Sequence, residues 1–391
     1  MRPLALYSAL FVSYFGDYCS LIGLFELAKR FGGSHHVIAL YILYSLPPLL
    51  FFIFSSVWAR HQKRPGHQLA AFSFAGVAVL SSLFFASTFA HILVAAFALG
   101  IIKQAGRVLV NTFIKRNFAA DRASKIVSNT VTIRYFIMVF GGALGAYLGG
   151  IGQFNTIFAI DALSFLVAGI AFLFCKEASP PDDSNVSATN ERRLPAFGRM
   201  VILFGAIPLL WCIGASMHTG LFMAVEYPLL TSELGVATSL IGIVWTGHII
   251  GTLLAQVASQ RILERMPLRN IVVVGSLFQI LGFGSIGMLG SSIAGVTLQM
   301  TAAVFWLVFT EILSSSHLMK VSTTENYPMH NILFRTLDMA MQFIAQFLPI
   351  TLLAGFSLAE ANALFAGSMI AFLALSSVTI VLTRPPSGGM R

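Results

Sequence analysis

Residues 155–175 read NTIFAIDALSFLVAGIAFLFC, and Asp161 is the only charged side chain among them. A helix needs about 20 apolar residues to cross the hydrocarbon layer of a bilayer, so this stretch is long enough to span a membrane. The whole chain of 391 residues is 57% hydrophobic and only 10% charged, whereas soluble domains carry roughly 25% charged residues. The composition therefore predicts a protein whose solvent is the bilayer.

Similar apolar runs flank this stretch on both sides, and together they predict an all-α membrane protein with twelve transmembrane helices. The other runs lie at approximately 4–28, 37–59, 68–88, 91–114, 126–149, 200–224, 237–259, 270–289, 292–313, 329–354 and 358–382. The first run contains Asp17 and has no small-residue cleavage site after it, so we interpret it as a helix and not as a secretion signal.

The longest polar stretch lies near the middle of the chain, at residues 176–199. It contains Pro180-Pro181-Asp182-Asp183 and Glu191-Arg192-Arg193, a composition that is too polar to bury a core and that is typical of linkers. The sequence therefore predicts a six-helix bundle at 1–175, a cytoplasmic linker at 176–199 and a second six-helix bundle at 200–391.

The two predicted bundles resemble each other at a constant offset of 201 residues. The matching positions are Arg60 with Arg261, Arg64 with Arg265, Arg134 with Arg335, and Asp161-Ala162-Leu163 with Asn362-Ala363-Leu364. Parallel repeats of this kind place a cavity between the two bundles, with the substrate near the middle of the membrane.

The basic residues predict the orientation of the chain. If the N-terminus is cytoplasmic, 18 of the 24 Lys and Arg residues fall in cytoplasmic segments, and only Lys29 and Arg30 fall in outer loops. Because cytoplasmic loops are enriched in Lys and Arg, both termini are expected in the cytoplasm. The net charge of +9 is then a topology signal, and no nucleic-acid partner is expected.

Motifs for other classes of function are absent from the sequence. The three cysteines, Cys19, Cys175 and Cys212, form no CxxC pair, so neither a metal site nor a disulfide framework is indicated. The sequence contains no GxxxxGK[ST] loop for ATP and no HExxH or GxSxG motif. We therefore expect no enzyme, no catalytic residue and no cofactor.

Cationic side chains inside the predicted helices are candidate substrate ligands, because an ionisable group in the membrane is costly. Lys103 and Arg107 are four residues apart and share one helix face, and Arg134 lies in the next predicted helix. One hypothesis is a cationic pocket in which all three bind the negative groups of a substrate. The alternative is that Asp17 or Asp161 neutralises them internally.

Two acidic residues are candidates for proton coupling. Asp17 lies on a narrow polar stripe with Ser13 and Ser20, and a carboxylate removed from water can take up and release a proton; the alternative is a structural hydrogen bond to a neighbouring helix. Glu226 precedes Tyr227-Pro228 and is either an acid at an outer gate or an exposed loop residue. Glu311, near the inner end of the run at 292–313, is expected to be solvated.

The run at 329–354 carries the longest polar stripe, which must face water, substrate or another polar helix. Its members are Asn331, Arg335, Asp338, Gln342 and Gln346. Gln342 and Gln346 are predicted to line a substrate cavity, and Arg335 and Asp338 to form a gating pair at a spacing of three residues. The alternative is a buried network between helices.

The chain resembles the major facilitator superfamily, and it is most similar to the branch of bacterial siderophore and drug exporters. The resemblance rests on Phe15-Gly16-Asp17, Arg107, Asn129, Gly141-Gly142-Ala143-Leu144-Gly145 and the Ser164-Phe165 that follows Asp161-Ala162-Leu163. It implies a monomeric secondary transporter in a bacterial inner membrane with protons as the coupling ion. The expected substrate is a small anionic or zwitterionic organic molecule, such as a siderophore, which is moved by alternating access.

The sequence departs from the family in two places. The family loop Gly-x-x-x-Asp-Arg-x-x-Arg is replaced by residues 56–64, where Arg60 stands in place of the gate acid. Arg60, Arg64, Arg261 and Arg265 remain the gating candidates of these loops. Gly142 replaces a proline that is frequent in exporters, which argues against proton-antiport efflux and leaves import or facilitated transport open. A lipid or drug transporter of the same fold and a receptor-like protein without transport are the alternatives.

Overall fold

The computed structural model describes residues 3–47, 50, 64–174, 196–237, 240–262, 268–286, 292–323, 326–346 and 357–382. Within these ranges the chain is helical and contains no strand. The helices are α1 Pro3–Gly32, α2 Ser34–Ser45, α3 Pro65–Ser82, α4 Phe89–Asn117, α5 Ala120–Gly150, α6 Phe154–Leu173, α7 Ala196–Phe204, α8 Ala206–Pro228, α9 Ile241–Ile262, α10 Leu268–Gly284, α11 Ile293–Val321, α12 Tyr327–Gln346 and α13 Leu358–Leu382.

Eight of these helices are long and apolar enough to cross a membrane: α1, α3, α4, α5, α6, α8, α9 and α11. Shorter apolar segments lie in α10, at Asn270–Gly284, and in α13, at Ala359–Leu375. The prediction of a multi-pass helical membrane protein is therefore confirmed.

The start of the second half of the chain differs from the prediction. The run predicted at 200–224 is divided by Gly205 into the short helix α7 and the long helix α8. Gly205 has φ 85°, a left-handed conformation that costs glycine little because it has no Cβ. Residues 196–199, predicted as linker, belong to α7, while residues 176–195 lie outside the described residues.

Helices in the two parts of the chain pack in corresponding ways. We call α1–α6 the N-terminal half and α8–α13 the C-terminal half. In the N-terminal half α1 packs against α5, and in the C-terminal half α8 packs against α12, which is the same pairing about 201 residues later. The two halves meet where α5 packs against α9 and α11.

Glycines allow α1 and α5 to approach closely. A Cβ atom added to Gly141 would lie 2.5 Å from the carbonyl oxygen of Phe15, and one added to Gly145 would meet the carbonyl oxygen of Cys19. Small residues at four-residue spacing therefore bring the two backbones together, as expected for packing in a membrane. This contact positions Asp17 of α1 beside the helices that carry the cationic residues.

The bundle has two ends, which we call the terminal face, where α1 begins, and the opposite face, where α1 ends. Helix α4 begins at the opposite face, since the rings of Phe31 and Phe89 lie 6.1 Å apart. Its last turn, with Lys115, consequently lies at the terminal face.

Candidate functional site

A cavity of about 270 Å³ lies between the two halves. Eight charged side chains line it, four basic and four acidic: Lys103, Arg107, Arg134, Arg335, Asp17, Glu226, Glu311 and Asp338. Seven of them were candidates from the sequence. The structure therefore brings together residues from five separate helices of both halves, and Glu311 from a sixth.

Lys103 is paired with Asp17. Its Nζ lies 3.4 Å from Asp17 Oδ1 and donates a hydrogen bond of 3.0 Å to the backbone oxygen of the same residue. The rings of Tyr44 and Tyr18 lie 5.2 Å and 5.9 Å from the ammonium nitrogen, within reach of cation–π attraction. Lys103 is thus neutralised inside the protein, one of the two arrangements that the sequence left open.

Arg134 and Arg335 share the carboxylate of Glu311. Arg134 Nη2 lies 2.5 Å from Glu311 Oε2, and Arg335 Nη1 lies 2.9 Å from Oε1. Tyr135 also donates a hydrogen bond of 2.9 Å to Oε2, and Arg335 Nη2 donates one of 3.0 Å to Ser315. One carboxylate therefore serves two guanidinium groups from different halves.

The expectation that Glu311 is solvated was wrong. Its side chain is only 14% exposed and carries two ion pairs. The predicted run ended at residue 313, but α11 continues to Val321, which places Glu311 about 15 Å from the helix end at a rise of 1.5 Å per residue. A longer predicted helix would have identified it as an intramembrane acid.

The predicted ion pair between Arg335 and Asp338 is also absent. Arg335 is held by Glu311, whereas Asp338 Oδ1 accepts hydrogen bonds from Ser216 Oγ at 2.5 Å and from Gln342 Nε2 at 3.1 Å. A spacing of three residues permits a pair on one helix, but the facing acid on α11 binds Arg335 instead. The polar stripe of α12 is thus divided between two groups of partners.

The two glutamines of this stripe differ in position. Gln342 lines the cavity, as predicted. Gln346 is fully buried and is not among the residues that line the cavity. Within the described ranges its amide has no hydrogen-bond partner. The polar stripe therefore continues beyond the cavity into the packed interior.

Arg107 differs from the other basic residues of the cavity. Among the described residues its guanidinium group makes one hydrogen bond, a long one from Nη1 to Met339 Sδ at 3.7 Å. In the part of the chain that the structure describes, no carboxylate lies within ion-pair distance of it, and it is the one basic residue of the cavity in that position. Arg107 therefore presents a positive charge to the cavity that belongs to no ion pair among the described residues.

Glu226 lies near the opposite face and is buried, with 6% of its surface exposed. It accepts a hydrogen bond of 2.9 Å from Trp245 Nε1, and His248 Nε2 lies 4.0 Å from its Oε1. It belongs to α8, so the alternative of an exposed loop residue is wrong. It lines the same cavity as Asp17, on the opposite half.

Contacts between the halves lie on both sides of the cavity. Towards the opposite face, Tyr227 Oη donates a hydrogen bond to Glu26, and the ring of Phe25 packs on Tyr227 with 5.8 Å between centroids. Towards the terminal face, Lys115 Nζ donates a hydrogen bond of 2.8 Å to the backbone oxygen of Met319. Each end of the cavity thus has a bond that joins the halves.

A second set of contacts towards the terminal face involves uncharged side chains. Gln256 of α9 accepts hydrogen bonds from Ser128 and Thr132 of α5, at 3.1 Å and 2.5 Å, and donates one of 3.3 Å to Asn129. Gln256 was not predicted from the sequence, because a lone amide in an apolar helix does not reveal its partner.

The loop arginines lie outside this network. Arg64 immediately precedes α3 and Arg261 lies in the last turn of α9, and both are exposed. The other two gating candidates of the loops, Arg60 and Arg265, lie outside the described residues. The gating role of all four remains a prediction.

Comparisons with known proteins agree with this architecture. The family model described as Major Facilitator Superfamily matches residues 6–328. The structure is similar to that of a bacterial homologue of the iron transporter ferroportin in an outward-facing state, with a TM-score of 0.68, 13% identity and coverage of 97% of this chain and 99% of that one. It is also similar to the human organic anion transporter MFSD10 (TETRAN), with a TM-score of 0.66, 13% identity and coverage of 96% and 99%.

No curated protein sequence matches the chain at a significant level. At 13% identity the structural likeness shows the fold alone. The family model, however, covers most of the chain, and the helical bundle with a charged cavity between its halves is consistent with it. The chain therefore belongs to the Major Facilitator Superfamily and is a multi-pass, non-enzymatic membrane transporter.

Proposed function

We propose that this protein is a secondary transporter for a small organic molecule that carries an anionic group, either an anion or a zwitterion, and that Arg107 binds that group. The observation that carries the proposal is the guanidinium group of Arg107, which lines the cavity without a carboxylate partner in the described residues. A guanidinium group forks onto a carboxylate or phosphate through two parallel N–H bonds. The bound substrate would supply the missing negative charge.

The neighbouring charges favour the same class of substrate. Two arginines share the single carboxylate of Glu311, so this group retains one positive charge when all three side chains are ionised. Arg134 thereby adds to the positive potential of the cavity, while Lys103 is already paired with Asp17. Gln342 contributes an amide to the lining.

The size of the cavity limits the size of the substrate. Sites for drug-sized ligands have volumes of about 300–1,000 Å³, and this cavity has about 270 Å³. A small metabolite therefore fits the cavity better than a siderophore or a lipid, although the chain resembles siderophore and drug exporters.

The names of the structural neighbours point to two kinds of cargo. One neighbour is an organic anion transporter, which agrees with the proposal. The other is a homologue of an iron transporter, but here the ammonium group of Lys103 occupies the position beside Asp17 that a metal cation would need. No group of three or more His, Cys, Asp or Glu residues in the described ranges is arranged to hold a metal.

Transport would proceed by alternating access. The bond from Tyr227 to Glu26 closes one end of the cavity and the bond from Lys115 to Met319 the other, so breaking one set while keeping the other opens the cavity to one side. In this proposal the bundles at 1–175 and 200–391 rock about the site as a monomer in a bacterial inner membrane, with twelve membrane helices and both termini in the cytoplasm.

Asp17 is the proposed proton-coupling residue and Glu226 a second candidate. The pair of Lys103 with Asp17 holds only while Asp17 is ionised, because a neutral carboxyl group attracts an ammonium group much less. Protonation of Asp17 would therefore release the charge of Lys103 into the cavity and favour an anion there.

The proposal is tested by comparing the small molecules inside cells and in the medium for three strains: wild type, a deletion, and the deletion complemented with Arg107→Gln. We expect the deletion to alter the distribution of one compound with an anionic group between the cell interior and the medium. The strain with Arg107→Gln should show the same altered distribution as the deletion, at a membrane abundance equal to that of the wild type. Lys125→Gln, at an exposed position of α5, is the matched control and should restore the wild-type distribution. Normal transport by Arg107→Gln would overturn the proposal.

A further inference from the structure

Two opposite charges of the central cavity, Arg107 and Asp338, lie on facing halves and belong to no ion pair among the described residues. Lys103 and Asp17 offset each other, and Glu311 is occupied by two arginines. Arg107 then has no acidic partner, and Asp338 has no basic partner within the described residues. Both line the cavity, Arg107 from α4 and Asp338 from α12.

These two residues lie at about the same depth. Arg107 Nη1 contacts Met339 Sδ at 3.7 Å, and Met339 follows Asp338 directly on α12. Both charges line the cavity, and no ion pair joins them. A cavity lined by one unpaired positive and one unpaired negative side chain is suited to a molecule that carries both a negative and a positive group.

The carboxylate of Asp338 has a free side. Ser216 and Gln342, both neutral donors, bind the same oxygen, Oδ1. The described residues donate no hydrogen bond to Oδ2. A carboxylate with one oxygen fixed by neutral donors and the other open is oriented to accept from an ammonium group, and such charge-assisted bonds are the strong ones.

From this arrangement we infer that the substrate is a zwitterion of the amino-acid type, with its anionic group on Arg107 and its ammonium group on Oδ2 of Asp338. The inference rests on the proposed function and narrows it. A simple anion would leave Asp338 without a positively charged partner, and a simple amine would leave Arg107 without a negatively charged one. Because each end of the zwitterion binds a different half, the bound substrate also draws the halves together.

The test uses the full-length protein in lipid nanodiscs and matched probes. The first set is 5-aminopentanoate, pentanoate and pentylamine, which share one carbon chain and carry both charges, the negative charge alone, or the positive charge alone. Homologues with shorter chains cover smaller distances between the two charges. Dissociation constants are obtained from ligand-dependent thermal stabilisation, which also reports whether each variant is folded.

We expect the best zwitterion to bind about tenfold or more tightly than its matched anion, as one charged hydrogen bond predicts. Asp338→Asn keeps the shape of the side chain and should abolish this difference while leaving the binding of the anion intact. Arg107→Gln should weaken both probes. Glu360→Gln, which removes an exposed carboxylate in the first turn of α13, should preserve the difference.

The outcomes separate the inference from the proposed function. Equal binding of anion and zwitterion, dependent on Arg107, overturns the inference and leaves the proposed function standing. Loss of the difference in Glu226→Gln but not in Asp338→Asn overturns the assignment to Asp338. Binding of the amine alone, or of none of the probes, counts against both.

Discussion

Arg134 and Arg335, which lie 201 residues apart in the chain, bind opposite oxygens of the same carboxylate, that of Glu311. They occupy corresponding helices, α5 and α12, and meet between the two halves. The position that corresponds to Glu311 in the N-terminal half is Val110, which is apolar and buried. One acid therefore serves both members of a repeated pair, and the repeat is broken at this point.

Removal of this acid should destabilise the protein. Glu311→Gln leaves two guanidinium groups without a negative partner, and loss of one member of a buried ion pair costs about 3–5 kcal/mol. We expect a marked fall in the thermal unfolding midpoint of the purified protein. The double variant Glu311→Gln with Arg134→Gln should regain part of the loss, and an unchanged midpoint in the single variant would contradict this interpretation.

The anion-binding role of Arg107 predicts a graded response to substitution. Arg107→Lys retains the charge but loses the planar fork that binds a carboxylate through two bonds, so pentanoate should bind about tenfold more weakly. Arg107→Gln should reduce binding further, below the range that thermal stabilisation can detect. Identical affinities in wild type, Arg107→Lys and Arg107→Gln would show that the anion lies elsewhere.

The pair of Asp17 with Lys103 predicts a pH dependence. As the pH falls, protonation of Asp17 releases the positive charge of Lys103, so anion binding should tighten from neutral to acidic pH. Asp17→Asn resembles the protonated state and should bind pentanoate tightly across the whole range. Titration of the dissociation constant against pH in both proteins checks this expectation, and a wild-type pH profile in Asp17→Asn would exclude Asp17 as the coupling residue.

The hydrogen bond between Tyr227 and Glu26 predicts control over access from the opposite face. Tyr227→Phe and Glu26→Gln should each weaken this closure and expose the cavity, and the double variant should add little because both remove the same bond. The probe is Met223→Cys, at a position that lines the cavity, in a background without Cys19, Cys175 and Cys212.

A membrane-impermeant maleimide applied to intact cells and to inverted vesicles measures this access. In Tyr227→Phe and Glu26→Gln, labelling of the cysteine at position 223 should increase when the maleimide reaches the protein from the opposite face. It should decrease when the maleimide reaches it from the terminal face. Tyr147→Phe, at an exposed position of α5, is the control and should label like the parent protein. Equal labelling of all variants from both sides would show that the hydrogen bond between Tyr227 and Glu26 does not control access to the cavity.

Hydropathy and charge along the chain were enough to predict the class of the protein and most of the charged residues of the cavity. Hydropathy is a local property, so each apolar run predicts its helix without knowledge of its neighbours. Lys103, Arg107, Arg134, Arg335 and Asp338 were found because a charge inside such a run is costly wherever the helix packs. The division of α7 from α8 was missed, because one glycine between two apolar segments does not show whether it takes φ 85°.

The pairing of the charges could be read only from the packing of the helices. The sequence left open whether Lys103 faces a substrate or Asp17, it assigned Arg335 to Asp338, and it gave Glu311 no role in the cavity. Pairing depends on which helix faces are opposed and at what depth, and neither is encoded in the periodicity of a single helix. Arg107 was a candidate substrate ligand from the sequence, but Asp338 became one only when the structure showed that its predicted partner Arg335 binds Glu311 instead.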